Sequence, residues 1–287
     1  MSTPPHLRLP DCAKAYLLDT DRGPFAVHDA TPPDGAEATA TLLLVPGFTG
    51  SKEDFITALE PLAGAGYRAV AVDQRGQFET PGSEDPAAYA LEALGADVVA
   101  VARALGDGPV HLVGHSFGGL AVRAAVIDDP AVFRSATLLC SGPGPIAGAE
   151  ATRCQMFLEL LTEMELPEIW TFISSMAEAN DEYTGVGSDV VDFLGRRFCA
   201  SAKASLIGMA TILLDTPDRT ADLAGTGVPL LVAYGEDDFI WPPTEQADMA
   251  ARLGARHEVI TGAAHSPAVQ APETFARLMI DFVSTLP

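Results

Sequence analysis

Positive charge is scarce in this chain. Its 287 residues include 17 lysines and arginines against 39 aspartates and glutamates, so the formal net charge is −22. A surface this acidic repels phosphate backbones and anionic lipid head groups. We therefore expect neither a nucleic acid nor a membrane as a partner, and we interpret the charge as one that favours solubility.

Cysteine is also rare. The four cysteines, Cys12, Cys140, Cys154 and Cys199, are widely spaced and form no CxxC pair, so a metal site is not expected. The first residues show no basic start followed by an apolar run, and no stretch is apolar and long enough to span a bilayer. These absences predict a cytoplasmic protein with reduced thiols.

What the chain does contain is a regular alternation of short apolar runs and helical patterns. This alternation is typical of an α/β fold, in which a mostly parallel β-sheet is covered by helices on both faces. A turn at Asp21-Arg22-Gly23 between two apolar runs predicts an antiparallel hairpin near the start. The further predicted strands are 41–45, 67–72, 110–113, 136–139, 229–234 and 257–260.

One segment interrupts this alternation. Residues 144–215 contain no good strand pattern, and apolar residues recur there at helical spacing. We predict a core domain of residues 1–143 and 216–287, with residues 144–215 inserted as a helical lid. The apolar stripe of this lid would form either a pocket wall or the lid's own core, and it comprises Met156, Phe157, Leu160, Trp170, Phe172 and Met176.

A serine motif follows one of the predicted strands. Gly114-His115-Ser116-Phe117-Gly118 matches the pattern G-x-S-x-G, and Gly119 comes next. A buried strand leads into the motif and a helix-forming stretch leaves it, which is the context of a nucleophile elbow. The glycines permit a sharp turn, and the helix N-terminus favours negative charge near the serine. Ser116 is therefore the candidate nucleophile; the alternative is a tight glycine turn with a solvated serine.

With this motif in this context, the chain resembles the α/β-hydrolase superfamily over nearly all of its length outside the predicted lid. The resemblance implies a nucleophile, an acid and a histidine in that order. Of the six histidines, His265 lies in a loop after the last predicted strand, and Gly262-Ala263-Ala264-His265 matches the family's G-x-x-H. We predict His265 as the general base. His28, His111 and His257 lie in predicted strands and are interpreted as structural. His115 occupies the variable position of the elbow, and we expect it to point away from the serine.

The acid is predicted from the end of another strand. Glu236-Asp237-Asp238 follows the predicted strand 229–234, and acids at the carboxyl end of a parallel strand mark a functional edge of the sheet. The family pattern G-x-x-D-x-x-x-P, matched by residues 235–242, selects Asp238 as the group that orients the histidine. Asp237, one residue away, remains the alternative.

Acyl transfer also needs donors for a developing oxyanion. The resemblance implies the backbone N–H of Phe117, directly after the serine, and that of Phe48, in the loop after strand 41–45. Relatives usually have His-Gly where this chain has Pro46-Gly47. The sequence therefore does not show which hydrogen bonds brace this loop in the absence of that histidine, and an ordinary Pro-Gly turn is the alternative. Asp73 and Arg75 match another family landmark and are expected to pin nearby loops.

Together these residues predict a serine hydrolase that cleaves a carboxylic ester or related acyl substrate through an acyl-enzyme, without a cofactor. The expected partner is a small apolar acyl compound, with Trp170 and Trp241 as candidate contacts. C–C bond hydrolases, aminopeptidases, tailoring enzymes and non-catalytic ligand-binding proteins share this scaffold, so these alternatives remain open. A serine nucleophile excludes the haloalkane dehalogenase and epoxide hydrolase types, which need aspartate. The sequence does not predict the oligomeric state.

Overall fold

The apolar runs form one eight-stranded sheet in the computed structural model, which describes residues 1–286. The strands are β1 (Ala13–Thr20), β2 (Gly23–Ala30), β3 (Thr41–Val45), β4 (Arg68–Val72), β5 (Val110–His115), β6 (Phe133–Leu139), β7 (Leu230–Gly235) and β8 (Arg256–Ile260). Along the sheet they follow the order β1-β2-β4-β3-β5-β6-β7-β8. β1 and β2 form the predicted antiparallel hairpin, β2 pairs antiparallel with β4, and the remaining pairs are parallel.

Helices cover both faces of this sheet, as the sequence predicts. Successive residues of a strand point to opposite faces. Leu43 and Val45 therefore pack in one core, while Leu42 and Leu44 pack in the other. The first core is completed by α2 (Leu91–Ala104), α3 (Phe117–Asp128), α8 (Thr220–Ala224) and α9 (Pro243–Leu253), and the second by α1 (Ile56–Gly64), α10 (Pro267–Gln270) and α11 (Pro272–Ser284). The α/β class is confirmed.

The connection between β6 and β7 carries a helical insertion. No strand occurs in residues 144–215; α4 (Gly148–Glu163), α5 (Leu166–Ala179), α6 (Ser188–Ala200) and α7 (Lys203–Asp215) lie there instead. Their packing forms a small third core that includes Leu161, Ile169 and Phe198. The division of the chain into a core domain and a lid of residues 144–215, and the action of that segment as a lid, stay predictions.

A buried ion pair joins the insertion to the rest of the fold. Arg197 of α6 donates from Nη1 to Oδ1 of Asp54 at 2.8 Å, and from Nη2 to the carbonyl of Ser2 at 2.7 Å. The Arg197 and Asp54 side chains are 1% and 3% exposed, so water does not share this contact. An arginine in such a position is held by its partner, because an unpaired buried charge is costly.

Membrane-spanning potential is limited to one bent pair of helices. Within residues 1–286 no single helix is long and apolar enough to cross a membrane. α6 and α7 satisfy the requirement by length and composition only when they are taken together, and they are bent by 90° at their junction.

Candidate active site

Ser116 stands at a strained turn between β5 and α3. Its φ is 54°, a left-handed conformation that is unusual for a residue with a side chain. The turn needs glycine on both sides: a Cβ on Gly118 would lie 2.5 Å from the Pro46 carbonyl oxygen, and one on Gly114 would collide with the backbone of Gly118. The close approach of these backbones forms the elbow and presents the serine at the carboxyl edge of the sheet.

His265 and Asp238 extend from Ser116 in one hydrogen-bonded line. His265 Nε2 lies 2.9 Å from Ser116 Oγ, and His265 Nδ1 lies 2.8 Å from Asp238 Oδ1. A carboxylate accepts, so Nδ1 carries the proton and Nε2 is left free to accept from the serine hydroxyl. The structure thus brings together the three residues that the sequence singled out, in a geometry able to move a proton off the serine. Asp237, the alternative acid, is exposed and lies outside this line.

A buried glutamine that no sequence motif singles out holds the carboxylate of Asp238. Gln246 of α9 donates from Nε2 to Asp238 Oδ2 at 2.8 Å, and to the Trp241 carbonyl at 2.8 Å. The N–H of Ile240 donates to Asp238 Oδ1 at 3.0 Å. Gln246 shares the buried face of α9 with Met249. A polar residue in that apolar stripe was the available signal.

The two expected oxyanion donors flank the serine. Neither the Phe48 N–H nor the Phe117 N–H donates to any acceptor within residues 1–286, so both are free for a ligand oxygen. Gly47, which precedes Phe48, lies so near the elbow that a Cβ there would be 3.0 Å from the Cβ of Ser116. Two free backbone donors beside a hydroxyl are the arrangement that stabilises a tetrahedral oxyanion.

Two buried glutamines brace the loop that carries Phe48. Gln74 donates from Nε2 to the Pro46 carbonyl at 2.8 Å, and Gln77 donates from Nε2 to the Gly47 carbonyl at 2.8 Å. The Oε1 of Gln77 accepts from the Gln74 N–H at 3.0 Å. Gly47 O and Phe48 N belong to the same planar peptide, so holding the carbonyl aims the N–H in the opposite direction. The two glutamines thus brace the loop in which Pro46 stands where relatives usually have histidine.

Asp73 and Arg75 do pin neighbouring loops. Asp73 accepts from the backbone N–H of Lys52 at 2.7 Å and from its Nζ at 2.9 Å, next to the braced loop. Burial alone would lower the pKa of Lys52, but the carboxylates of Asp73 and Glu53 raise it above its usual value. Arg75 makes a bidentate contact with Asp97, with both distances at 2.6 Å.

Above Ser116 lies a cavity of about 410 Å³. It is lined by residues of the core and by α4 of the insertion. An ion pair between Arg153 and Glu150 on α4 also borders it. The apolar side chains on its wall include Met1, Phe48, Ile146, Phe157, Leu213, Phe239 and Ile240. A mostly apolar wall with a few polar groups at its base is typical of a small-molecule site.

The two tryptophans predicted as substrate contacts do not line this cavity. Trp170 packs in the third core, with its ring centroid 6.0 Å from that of Phe198, because its helix turns that face towards α6. Trp241 is fully buried and donates from Nε1 to the Gly144 carbonyl at 3.2 Å. Both positions correct the expected placement, since neither ring reaches the cavity wall.

The apolar stripe of the insertion was predicted to form either a pocket wall or the insertion's own core, and its members divide between the two. Phe157 lines the cavity, whereas Leu160 and Trp170 pack against the third core. The remaining members face solvent, with exposed fractions of 60% for Met156 and 52% for both Phe172 and Met176. Helical spacing alone could not show which neighbour each face of a helix would meet.

His115 contacts the predicted base, which its position in the sequence does not show. Its ring lies against that of His265, with ring centroids 5.1 Å apart, and its Nε2 lies 2.6 Å from the His265 carbonyl oxygen. The expectation that it points away from the serine stays a prediction. Burial lowers the pKa of His115 to about 3, assisted by the nearby His265. This imidazole therefore stays neutral at ordinary pH.

One group of side chains has ligand types suited to a metal ion. The potential ligand atoms of His115, Cys140 and His265 lie within 4.8 Å of one another. Both ring nitrogens of His265 already contact Ser116 and Asp238. Burial and the neighbouring Asp238 raise the pKa of the Cys140 thiol well above its usual value, which disfavours the thiolate that binds metals. The donor set is thus poorly suited to a metal.

Comparison with known proteins agrees with this geometry. A family model described as "Alpha/beta hydrolase family" matches residues 42–278. A "Putative carbamate hydrolase RutD" from Variovorax paradoxus is 29% identical over 269 residues, which are 91% of this chain and 95% of that protein.

Solved structures share the fold over nearly the whole chain. A thermophilic esterase from Thermogutta terrifontis has a TM-score of 0.75 at 21% identity and covers 95% of this chain and 99% of its own. A bromoperoxidase from Bacillus anthracis has a TM-score of 0.77 at 16% identity and covers 94% and 100%. The family match, the eight-stranded sheet and the elbow lead to one conclusion: this chain belongs to the α/β-hydrolase family.

Proposed function

We propose that the protein is a serine hydrolase that cleaves carboxylic esters or closely related acyl compounds through an acyl-enzyme. The observation that carries the proposal is the line of hydrogen bonds from Ser116 through His265 to Asp238, at 2.9 and 2.8 Å. A serine hydroxyl is a weak nucleophile until a base within hydrogen-bond reach takes its proton. The base here is held in the tautomer that can do so.

In the proposed reaction, Ser116 Oγ attacks the substrate carbonyl while His265 Nε2 takes the hydroxyl proton. The new oxyanion accepts from the N–H groups of Phe48 and Phe117. When the tetrahedral intermediate collapses, the bond to the leaving group breaks and His265 returns its proton to that group. Water then repeats the sequence on the acyl-enzyme, releasing the acid and restoring the serine. Asp238 stabilises the imidazolium and stays ionised.

The cavity supports an apolar acyl group of modest size. Its volume of about 410 Å³ lies near the lower end of small-molecule sites, and Phe48, Phe157 and Leu213 contribute apolar walls. A short or medium acyl chain fits this description better than a long one. A cytoplasmic location, expected from the sequence, belongs to the same proposal.

A carbamate is the second candidate substrate. The relative named as a putative carbamate hydrolase matches 91% of this chain, and a carbamate presents the same type of carbonyl to the serine. The same nucleophile, base and oxyanion donors would serve it. An ester leaves an acyl group on Ser116, whereas a carbamate leaves a carbamoyl group. The two substrates therefore differ in the group that stays on the serine and in its fit to the cavity, while the chemical steps are shared.

Turnover and active-site labelling test the proposal together. Wild-type protein is assayed with p-nitrophenyl acetate, butyrate and octanoate and with a p-nitrophenyl carbamate, and a fluorophosphonate probe is mapped by mass spectrometry. We expect labelling at Ser116, and a fall in kcat of at least about 10³-fold in Ser116→Ala. Ser141→Ala is the matched control, because Ser141 is buried behind the elbow beside Gly119.

Each outcome has a distinct meaning. A folded wild-type protein that neither labels nor turns over any of these substrates would refute the serine hydrolase. Labelling at Ser116 without turnover of esters or carbamate would favour the C–C bond hydrolase or tailoring alternatives. Turnover of the carbamate well above that of every ester would favour the second candidate.

A further inference from the structure

His115 is the last residue of β5 and directly precedes Ser116 in the chain. Its side chain is buried, and its Nε2 lies 2.6 Å from the main-chain carbonyl oxygen of His265. The nucleophile and the backbone of its base are therefore joined through a single side chain. The catalytic mechanism above makes no use of this contact.

The direction of this hydrogen bond is fixed by chemistry. A carbonyl oxygen only accepts, so the Nε2 of His115 must carry the hydrogen. Burial keeps the ring neutral, because it lowers the pKa of His115 to about 3. The neutral Nε2–H form therefore donates throughout the pH range in which a hydrolase of this type works.

Other contacts hold the neighbouring peptides of the loop but leave this carbonyl to His115. Gln270 Oε1 accepts from the N–H of Ala264 at 2.9 Å and from that of Ser266 at 3.1 Å. The Cys140 thiol lies 3.7 Å from the Ala264 carbonyl. Within residues 1–286, no donor besides His115 reaches the carbonyl oxygen of His265.

We propose that His115 is a positioning residue for the proposed hydrolysis: by donating Nε2–H to the His265 carbonyl, it fixes the base at hydrogen-bond distance from Ser116. The inference rests on the proposed function, since it concerns the base of that reaction. A loop held from the elbow itself moves with the nucleophile. The spacing between Ser116 Oγ and His265 Nε2 is thus set within one local unit, which the efficiency of proton transfer requires.

The neutrality of His115 matters when His265 gains a proton. The groups that face the His115 ring are His265 on its loop, Asp238 after β7 and Cys140 after β6. Of these, only Asp238 is charged before reaction. Because His115 stays neutral, the imidazolium formed at His265 meets the Asp238 carboxylate without a second positive charge beside it.

Three substitutions separate the hydrogen bond from the volume of the ring. His115→Gln places an amide nitrogen the same number of bonds from Cβ as Nε2, so it can still donate. His115→Phe fills the space of the ring but has no donor. His115→Asn has an amide donor, but its side chain is too short to reach the His265 carbonyl. His111→Phe is the matched control: His111 is buried in the same strand and contacts Ser135 Oγ at 2.8 Å, away from the site.

The readouts are kcat and KM for the best substrate, the pH profile of kcat/KM, and the rate of fluorophosphonate labelling. We expect kcat to fall about 10- to 100-fold in His115→Phe and His115→Asn, while KM changes less than about threefold. His115→Gln should restore kcat to within about fivefold of wild type and keep its pH profile. His111→Phe should lose stability without losing kcat.

Two kinetic results would overturn the inference while leaving the serine hydrolase intact: a folded His115→Phe with wild-type kcat, or a folded His115→Gln as slow as His115→Phe. Failure of the proposed function is recognised separately, because wild-type protein would then show neither turnover nor labelling. Should the variants not fold, ¹⁵N NMR of wild-type histidines decides. We expect His115 as the Nε2–H tautomer, without titration between about pH 5 and pH 9; the other tautomer, or titration in that range, refutes the inference.

Discussion

Gln77→Met is the substitution that tests most directly how this chain supports the loop that carries Phe48, whose N–H is a proposed oxyanion donor. Gln77 is fully buried, and its amide makes two hydrogen bonds to the main chain: it donates to the Gly47 carbonyl and accepts from the Gln74 N–H. Its Nε2 also lies 3.8 Å from Met209 Sδ. Methionine has a similar length and shape but neither polar function. The substitution therefore removes both bonds while keeping most of the packing.

The expected loss of stability follows from what is left unpaired. The Gln74 N–H loses its acceptor and stays buried, which costs about 1–3 kcal/mol. The Gly47 carbonyl keeps the Gly50 N–H at 3.1 Å and loses one of two donors, which costs about 1 kcal/mol more. We expect the free energy of unfolding to fall by about 2–4 kcal/mol.

The expected loss of activity is separate and has its own cause. The carbonyl held by Gln77 belongs to the same peptide as the Phe48 N–H, so its release lets that donor turn away from the oxyanion. Loss of one such donor typically lowers kcat by about 10²–10³-fold. We expect the partial misalignment of this donor to lower kcat at least about tenfold, which corresponds to about 1.4 kcal/mol or more, with little change in KM.

Urea unfolding and ester kinetics on the same preparations measure the two effects. Thr80→Val is the control, because Thr80 lies in the same loop as Gln77 and its hydroxyl also makes two buried bonds, donating to the Asp73 carbonyl and accepting from the Ala26 N–H. It should lose stability and keep kcat. A folded Gln77→Met with wild-type kcat would show that the glutamine does not aim the Phe48 N–H, and the reasoning would be refuted.

Three further predictions concern the acid, the ion pair and pH. Asp238→Asn should lower kcat about 10³- to 10⁴-fold, because asparagine no longer selects the reactive tautomer of His265. Asp237 is exposed, so Asp237→Asn should keep the wild-type kcat. Equal kcat values for the two variants would contradict this prediction. Arg197→Met should lower the free energy of unfolding, measured in urea, by about 3–5 kcal/mol, and adding Asp54→Asn should recover part of this loss. An Arg197→Met protein with wild-type stability would show that the ion pair does not stabilise the fold. Burial lowers the pKa of His28 and His111 to about 4, so below about pH 6.5 the unfolded chain binds more protons than the folded protein. Each of the two histidines should therefore lower the free energy of unfolding by about 1 kcal/mol per pH unit down to pH 4. A free energy of unfolding that stays constant over that range would contradict the pH prediction.

The sequence predicts the elbow and the sheet well because their determinants are local. Gly114, Ser116 and Gly118 lie within five positions, and the steric demand of the turn is visible in those residues alone. The strands are read from continuous apolar runs, which is how buried parallel strands appear. Boundaries are predicted less exactly: the strand predicted at 110–113 extends to His115, and the strand predicted at 229–234 is Leu230–Gly235.

The residues that support the site are harder to predict because their partners are remote in the chain. Gln77 reaches Gly47 across 30 positions, and His115 reaches His265 across 150. Nothing near either residue shows that a main-chain carbonyl will lie there after folding. The predicted contact between Trp170 and the substrate was wrong for a related reason: the spacing of apolar residues on a helix does not show which neighbour that face meets.

The pairing of Arg197 with Asp54 also limits how this protein can be re-engineered or can diversify. The cavity wall belongs in part to the insertion, so exchanging residues 144–215 for those of a relative is an obvious route to new substrates. A graft without a guanidinium at position 197 would strand a buried carboxylate in the recipient. A successful chimera therefore has to carry the arginine with the insertion or neutralise Asp54 in the recipient, and the two positions should change together.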